Sequence, residues 1–325
     1  MSIFKHALVL AFVAGTVSGA ALAASAGAHL SDWGPAALVD PPADGVGVNT
    51  TANDGCPIES PDGRSLYIAS NRSGGAGALD LWVAHREGTD EPWGNPVNLN
   101  DASGADLNTS FDEFCPTPVR GNGLFFVRRP SACGLGDIYF TRFNPRHGWS
   151  EPERLACAPE GPNSVLDEMG PSYVQAGGGA RLYFSSSRAA SQPGGFVPGD
   201  IFVSRMGAGG TFGPAELVAE LSDPVANDIQ PNVRKNGREV VFSSNRAGGK
   251  GSQDIWVATR KNGGDAWSQP LNLVNLGDPS QQVNTSASET RPSLSWDGER
   301  LYFGRSPAAG GPADVYVTTR ENADD

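Results

Sequence analysis

The feature that most limits what this chain can become is a proline that returns five times with a carboxylate three residues ahead of it. The pairs are Asp54 and Pro57, Glu113 and Pro116, Glu168 and Pro171, Asp228 and Pro231, and Glu289 and Pro292, at spacings of 55 to 61 residues. Self-similarity at a fixed period marks a repeat architecture, in which each copy is one supersecondary unit that buries its apolar face only against its neighbours. The same series follows each anchor. Turns at Asp62-Gly63, Asn122-Gly123, Asn236-Gly237 and Asp297-Gly298, with three glycines at 177 to 179 in the third copy, are hairpin signals. The runs LYIA, LFFV, LYFS, VVFS and LYFG read as second strands covered on both faces. A third strand opens with Asp80, Asp137, Asp200, Asp254 or Asp314, and an outer strand carries aromatic, proline and leucine, as in Trp93, Pro96 and Leu99. Proline suits an outer edge, where the missing N–H is tolerated.

The expected fold is therefore all-β, a single five-bladed propeller of four-stranded antiparallel blades at about 53–100, 111–156, 166–218, 226–274 and 287–320 within 24–325. The fifth copy has no outer strand, but residues 31–40 carry Trp33, Pro35 and Leu38 with no inner strand before them. That segment should complete the last blade and close the ring, removing exposed sheet edges. Ahead of it, Lys5, an apolar run and the triplet Ala21-Leu22-Ala23 read as a signal peptide over 1–23. The run is too short for a comfortable membrane span, and no cysteine at the cleavage site marks a lipid anchor, so we expect a periplasmic or secreted protein.

The motifs SPDG, LYxxSNR, GGxGxxDIW and WxxPxNL resemble the TolB-like propeller repeat, a WD-repeat-like family of bacterial envelope proteins. The resemblance spans Trp33 to Arg320 and rests on several motifs recurring five times in the same order. It implies a propeller in the cell envelope. Members of that family join the propeller to a TolB N-terminal domain, an OmpA-like domain or a peptidase, none of which this sequence contains. Six blades are usual in TolB, and this chain has five repeats.

A net charge of −12 argues against nucleic acid and anionic membranes as partners. No GxSxG elbow occurs, and His29, His85 and His147 do not cluster as metal ligands do. Two sets of polar residues recur in every blade. Arg72, Arg129, Arg188, Arg246 and Arg305 close the second strands and, with the third-strand aspartates, read as structural partners of buried polar groups. Asn49, Asn108, Asn163 and Asn284 stand eight residues before four anchors, with Asp223 in the fifth place. The inner carboxylates Asp54, Glu113, Glu168, Asp228 and Glu289 read in two ways, as further structural partners or as a ring at the upper channel mouth that holds calcium or a cationic ligand. Trp82, Tyr139 and Trp256 have core spacing, whereas Phe196 and Trp296 have no repeat equivalent.

Four cysteines in an exported chain allow three pairings; we expect Cys56 with Cys115, which precede adjacent anchor prolines, and Cys133 with Cys157. The functional expectation is a non-enzymatic scaffold that binds an envelope protein, a glycan or a cationic ligand through its upper face. The alternative is a glycan-active enzyme, hydrolase or lyase, using ring carboxylates, of which two would need unequal environments.

Overall fold

A computed structural model describes residues 33–40, 46–188, 199–274 and 281–321. The leader reading of 1–23 and the candidate Phe196 lie outside the described residues. Five antiparallel sheets form the expected five-bladed propeller, the first four ordered as the chain runs and the fifth completed by the first strand. The first blade is Asp54–Glu59, Ser65–Ser70, Asp80–His85 and Val97–Asn98. The second is Asp112–Val119, Gly123–Arg129, Asp137–Asn144 and Glu153–Arg154, with Gly148–Trp149 also on its third strand. The third is Glu168–Ala176, Gly179–Ser186, Asp200–Met206 and Phe212–Leu217. The fourth is Asp228–Val233, Glu239–Ser244, Asp254–Thr259 and Leu271–Asn272. The fifth takes Ser288–Leu294, Arg300–Ser306 and Asp314–Thr319 from the chain's end and Ala37–Leu38 from its beginning.

That last pairing closes the ring as the aromatic-proline-leucine signature requires. Ala37 pairs with Val317 and Leu38 with Tyr316, and Val39 donates its N–H to the Val315 carbonyl at 3.0 Å. Trp33 is 1% exposed beneath the Arg320 guanidinium, 4.3 Å from its ring. Between blades the apolar runs interlock; Val174, Tyr183, Phe242, Trp256 and Trp267 form one cluster from the third and fourth blades. Each such side chain taken fully from water contributes about 1.5–3 kcal/mol.

The anchor proline marks a bulge. In every inner strand the register slips there, and the preceding residue is left-handed: Cys56 (φ 50°), Cys115 (φ 50°), Gly170 (φ 60°), Gln230 (φ 54°) and Arg291 (φ 58°). A non-glycine residue held so costs about 1 kcal/mol, and the bulge also removes the need for the N–H that proline lacks. These five residues and their prolines line a neck of only 30 Å³, room for about one water. The neck separates an upper face, where inner strands begin, from a lower face, where they turn into the second strands.

Candidate functional site

On the upper face the five inner carboxylates are 0% exposed, and each is bound by its own blade. The Thr50 N–H and hydroxyl donate to Asp54, and the Thr109, Ser164 and Thr285 pairs do the same for Glu113, Glu168 and Glu289. In the fourth blade the Asp223 N–H donates to Asp228 at 2.6 Å. An arginine completes each set: Arg72 on Asp54 at 2.7 Å, Arg128 on Glu113 at 2.6 Å, Arg188 on Glu168 at 2.7 Å, Arg246 on Asp228 at 2.6 Å and Arg305 on Glu289 at 2.9 Å. Burial raises the carboxyl pKa of Glu113, Glu168, Asp228 and Glu289 despite these bonds.

Each guanidinium also lies over the aromatic two residues into the third strand. The distances are 5.4 Å to Trp82, 4.9 Å to Tyr139, 5.1 Å to Phe202, 5.3 Å to Trp256 and 4.3 Å to Tyr316. The Asp-x-aromatic motif is thus a platform for the arginine. The asparagines fasten one blade to the next: Asn108 takes the Leu81 N–H and donates to the Leu81 carbonyl, and Asn49, Asn163 and Asn284 bracket Val315, Ile138 and Ile255 likewise.

Three expectations are corrected here. The carboxylates do not converge on the axis as a cation or calcium site: their oxygens are occupied by hydroxyls, N–H groups and guanidinium, and none lines the neck. Among the described residues no group of three or more histidine, cysteine or acidic side chains is gathered as a metal would need. Secondly, Glu113 is held by Arg128 and not by Arg129. In the first, third and fourth blades a serine faces the acid and the arginine reaches back from two residues on, whereas in the second and fifth Arg128 and Arg305 face it directly. Arg129, one residue further, projects to the other side and pairs with Asp167 at 3.0 Å. Thirdly, Cys133 and Cys157 are bonded as expected, but Cys56 and Cys115 are buried free thiols. Their left-handed backbone brings them side by side at the neck as hydrogen-bonding thiols beside Arg291, and burial pushes the Cys56 thiol well up.

The third-strand aspartates bind the loops that precede them. Gly77, Cys133 and Gly251 donate N–H groups to Asp80, Asp137 and Asp254 at 3.2, 2.9 and 3.2 Å. Asp200 is raised to about 6, by burial first and then by the charges of Asp228 and Asp223; burial, with the charges of Asp54 and Asp40, raises Asp314 as well.

Open space lies on the lower face. A cleft of 780 Å³ between the second and third blades has walls of Phe125, Phe140, Tyr173 and Phe212, with ring centroids 4.6 to 6.4 Å apart. A second cleft, of 850 Å³, lies between the first and second blades and is lined by Tyr67, Phe143, Trp149, His85, Asp62 and Asp101. Arg120 lines both. Trp296, singled out in the sequence because it has no repeat equivalent, reaches the first cleft from the fifth blade, and Lys235 from the fourth. The residue four after each anchor proline forms a lower ring of Pro61, Arg120, Gln175, Lys235 and Trp296. In the sequence this position carries five different residues and so no recurring signal beyond the unrepeated Trp296.

Comparison with protein-family models finds no match, and comparison with curated proteins finds none either. Solved structures do match. An α-L-arabinofuranosidase from Lactobacillus brevis aligns over 86% of this chain and 94% of its own, at 13% identity and a TM-score of 0.57. An α-L-arabinofuranosidase from Podospora anserina, in complex with cellotriose, aligns over 90% and 97% at 15% identity and a TM-score of 0.56. An endo-arabinase from Bacteroides thetaiotaomicron aligns over 86% and 98% at 16% identity and a TM-score of 0.51. At such identities the likeness is one of fold. The expectation of a non-enzymatic envelope scaffold is corrected on this finding in favour of its glycan-active alternative: these glycosidases are matched over nearly their whole length by a fold of this kind.

Proposed function

We propose that this protein is a glycan-active enzyme that hydrolyses arabinose- or xylose-containing polysaccharide in the clefts of its lower face. The observation that carries this reading is the pair of aromatic-walled clefts meeting at Arg120, on a molecule whose upper carboxylates are all engaged internally. Sugar rings present apolar C–H faces and polar hydroxyl edges, and such clefts offer flat rings beside hydrogen-bonding groups. The names of the matched glycosidases support the choice of pentose-containing substrate.

Hydrolysis of a glycosidic bond needs two carboxyl groups in different roles. The cleft between the first two blades holds Asp62 and Asp101. The Ser60 hydroxyl, donating at 2.6 Å, holds Asp62 below the usual carboxylate range, so it stays ionised as base or nucleophile. Asp101 ends the turn Leu99–Asp101 and would supply the acid. The Tyr67 phenol, pushed up to about 12 by burial, remains a donor for a sugar hydroxyl. Export belongs to the same proposal, supported by the leader-like start and by the Cys133–Cys157 disulfide. So does kinship with TolB-like repeats, supported by the shared motifs.

The test is release of reducing ends from arabinan and xylan by the purified protein. Hydrolysis is expected, and Asp62→Asn and Asp101→Asn should each lower it at least 100-fold while the fold is retained. Full activity in both variants, or no hydrolysis by the unmodified protein, defeats the assignment.

A further inference from the structure

Beside the walls of the cleft between the second and third blades, the lower ring sets two cations against one indole. The Arg120 guanidinium lies 4.9 Å from the centre of the Trp296 ring and the Lys235 ammonium 5.9 Å from it. Both cations are exposed, and neither has a carboxylate partner among the described residues. Asp297, which follows Trp296 in the chain, is already occupied by the Ser295 hydroxyl and, at 2.8 Å, by Arg300. Arg142 lines the same cleft, with its guanidinium on the Gly121 carbonyl at 3.2 Å and over the Phe140 ring at 4.9 Å. Arg154 is turned to Asp137, 3.6 Å away, and Glu153 is the cleft's one acidic lining residue among those described. A molecule with a net charge of −12 therefore has a positively charged cleft here. Like charges on a shared ring repel each other, so their persistence without a partner calls for an anion.

We propose that this cleft is a subsite for a carboxylated sugar, a uronic acid borne on the glycan, with its carboxylate between Arg120 and Lys235 and its ring face on Trp296. The proposal rests on the glycan reading above and deepens it by naming an acidic substrate class. Guanidinium and ammonium groups bind a carboxylate through charge-assisted hydrogen bonds, and the indole supplies the apolar surface that a pyranose covers. Gln175, which accepts the Tyr173 hydroxyl at 3.3 Å, and the Tyr173 ring stand at the same rim for hydroxyl contacts. A long polyanion fits less well, because the rest of the surface repels it.

Calorimetric titration with a glucuronate-substituted xylo-oligosaccharide, with the unsubstituted oligosaccharide of equal length, and with a nucleoside monophosphate decides the matter. The acidic sugar should bind at least 10-fold more tightly than the neutral one, and added salt should erode the difference. Arg120→Gln with Lys235→Gln should abolish the preference of the acidic over the neutral sugar; Trp296→Ala should weaken both. Equal affinity for the two sugars overturns the acidic subsite and leaves the glycan reading standing, whereas failure of both to bind overturns the two together. Tighter binding of the nucleotide than of the acidic sugar also defeats the proposal. Should the double variant lose its fold, Lys235→Gln alone carries the same comparison.

Discussion

The upper and lower rings of this propeller are built on the same five inner strands, three residues before the anchor proline and four after it, and they follow opposite rules. Above the neck every blade places a carboxylate, and every carboxylate is bonded to an arginine of its own blade and buried. Below it the equivalent residues are Pro61, Arg120, Gln175, Lys235 and Trp296, no two alike and none fully buried. Uniformity marks a need that each blade has separately, which is to tie the start of its inner strand to its second strand. Variety marks the absence of such a shared need: Arg120, Gln175, Lys235 and Trp296 line one cleft and Pro61 the other.

The comparison breaks most visibly if an upper tie is cut. Glu168 accepts from Ser164, Ser186 and Arg188, so Glu168→Ala leaves a guanidinium, two hydroxyls and an N–H without their carboxylate partner in a buried place. Removing one member of a buried pair costs about 3–5 kcal/mol, read as a fall in the denaturation midpoint. An unchanged midpoint would mean that the ring is not structural. Next in size is the tie between blades. Asn108→Ala orphans the N–H and the carbonyl of Leu81, at about 1–3 kcal/mol for the buried unsatisfied groups. The fourth blade offers a contrast, because there the Ser222 hydroxyl alone takes the Ile201 N–H, at 3.0 Å, in place of an asparagine. Ser222→Ala should therefore cost less than Asn108→Ala in the same measurement.

Five blades, their strand order and the ring closure were legible in the sequence because each depends on a local pattern: the anchor proline, the hairpin turn and the displaced Trp33 segment. Harder to read were contacts that depend on which side of a strand a residue faces. Arg128 and Arg129 are adjacent, and only the slip of register at the bulge decides which one meets Glu113. The left-handed residue before each proline was invisible for a similar reason: two cysteines, a glycine, a glutamine and an arginine have no chemistry common to all, only a backbone conformation. The carboxylates are conspicuous in the sequence, whereas the hydroxyl and N–H donors that satisfy them, four residues ahead in four of the blades, are not. The lower ring was legible in principle, since Trp296 stood out as unrepeated, yet it emerges as a ring only once the strands show that position to be shared.

A smaller effect comes from the copy where the upper pattern lapses. Asp223, which sequence spacing sets beside the asparagines, stands in the structure where the other blades have the threonine or serine that donates to the inner carboxylate, and with burial and Asp228 it helps to raise Asp200 to about 6. A carboxyl whose folded pKa lies above its ordinary 3.8 binds its proton more tightly in the folded state. It therefore favours folding at low pH and loses that contribution as pH rises from about 4 through 6. Asp200→Asn should raise the melting temperature at about pH 7.5 by about 2 °C, the small size reflecting partial solvation, and leave it unchanged near pH 4. A uniform gain at both pH values would show that the variant acts through packing and not through charge.

The smallest effect is expected where the rings differ most. Arg120 and Lys235 are exposed at turns that follow the inner strands, Gln175 is exposed at the end of its inner strand, and Trp296 is half-buried on the turn closed by Gly298. Truncating Arg120 or Lys235 removes one cation from one indole face, an interaction worth about 0.5–1 kcal/mol at an exposed site, and also relieves the repulsion between the two cations. The two effects oppose each other. Arg120→Ala and Lys235→Ala should therefore shift the melting temperature by no more than about 1 °C, singly or together, as substitutions away from buried features do. A fall as large as that of Glu168→Ala would show that the lower ring is a second structural ring. A near-null result leaves these side chains without a folding role, so that ligand contact is what would account for their place at the cleft.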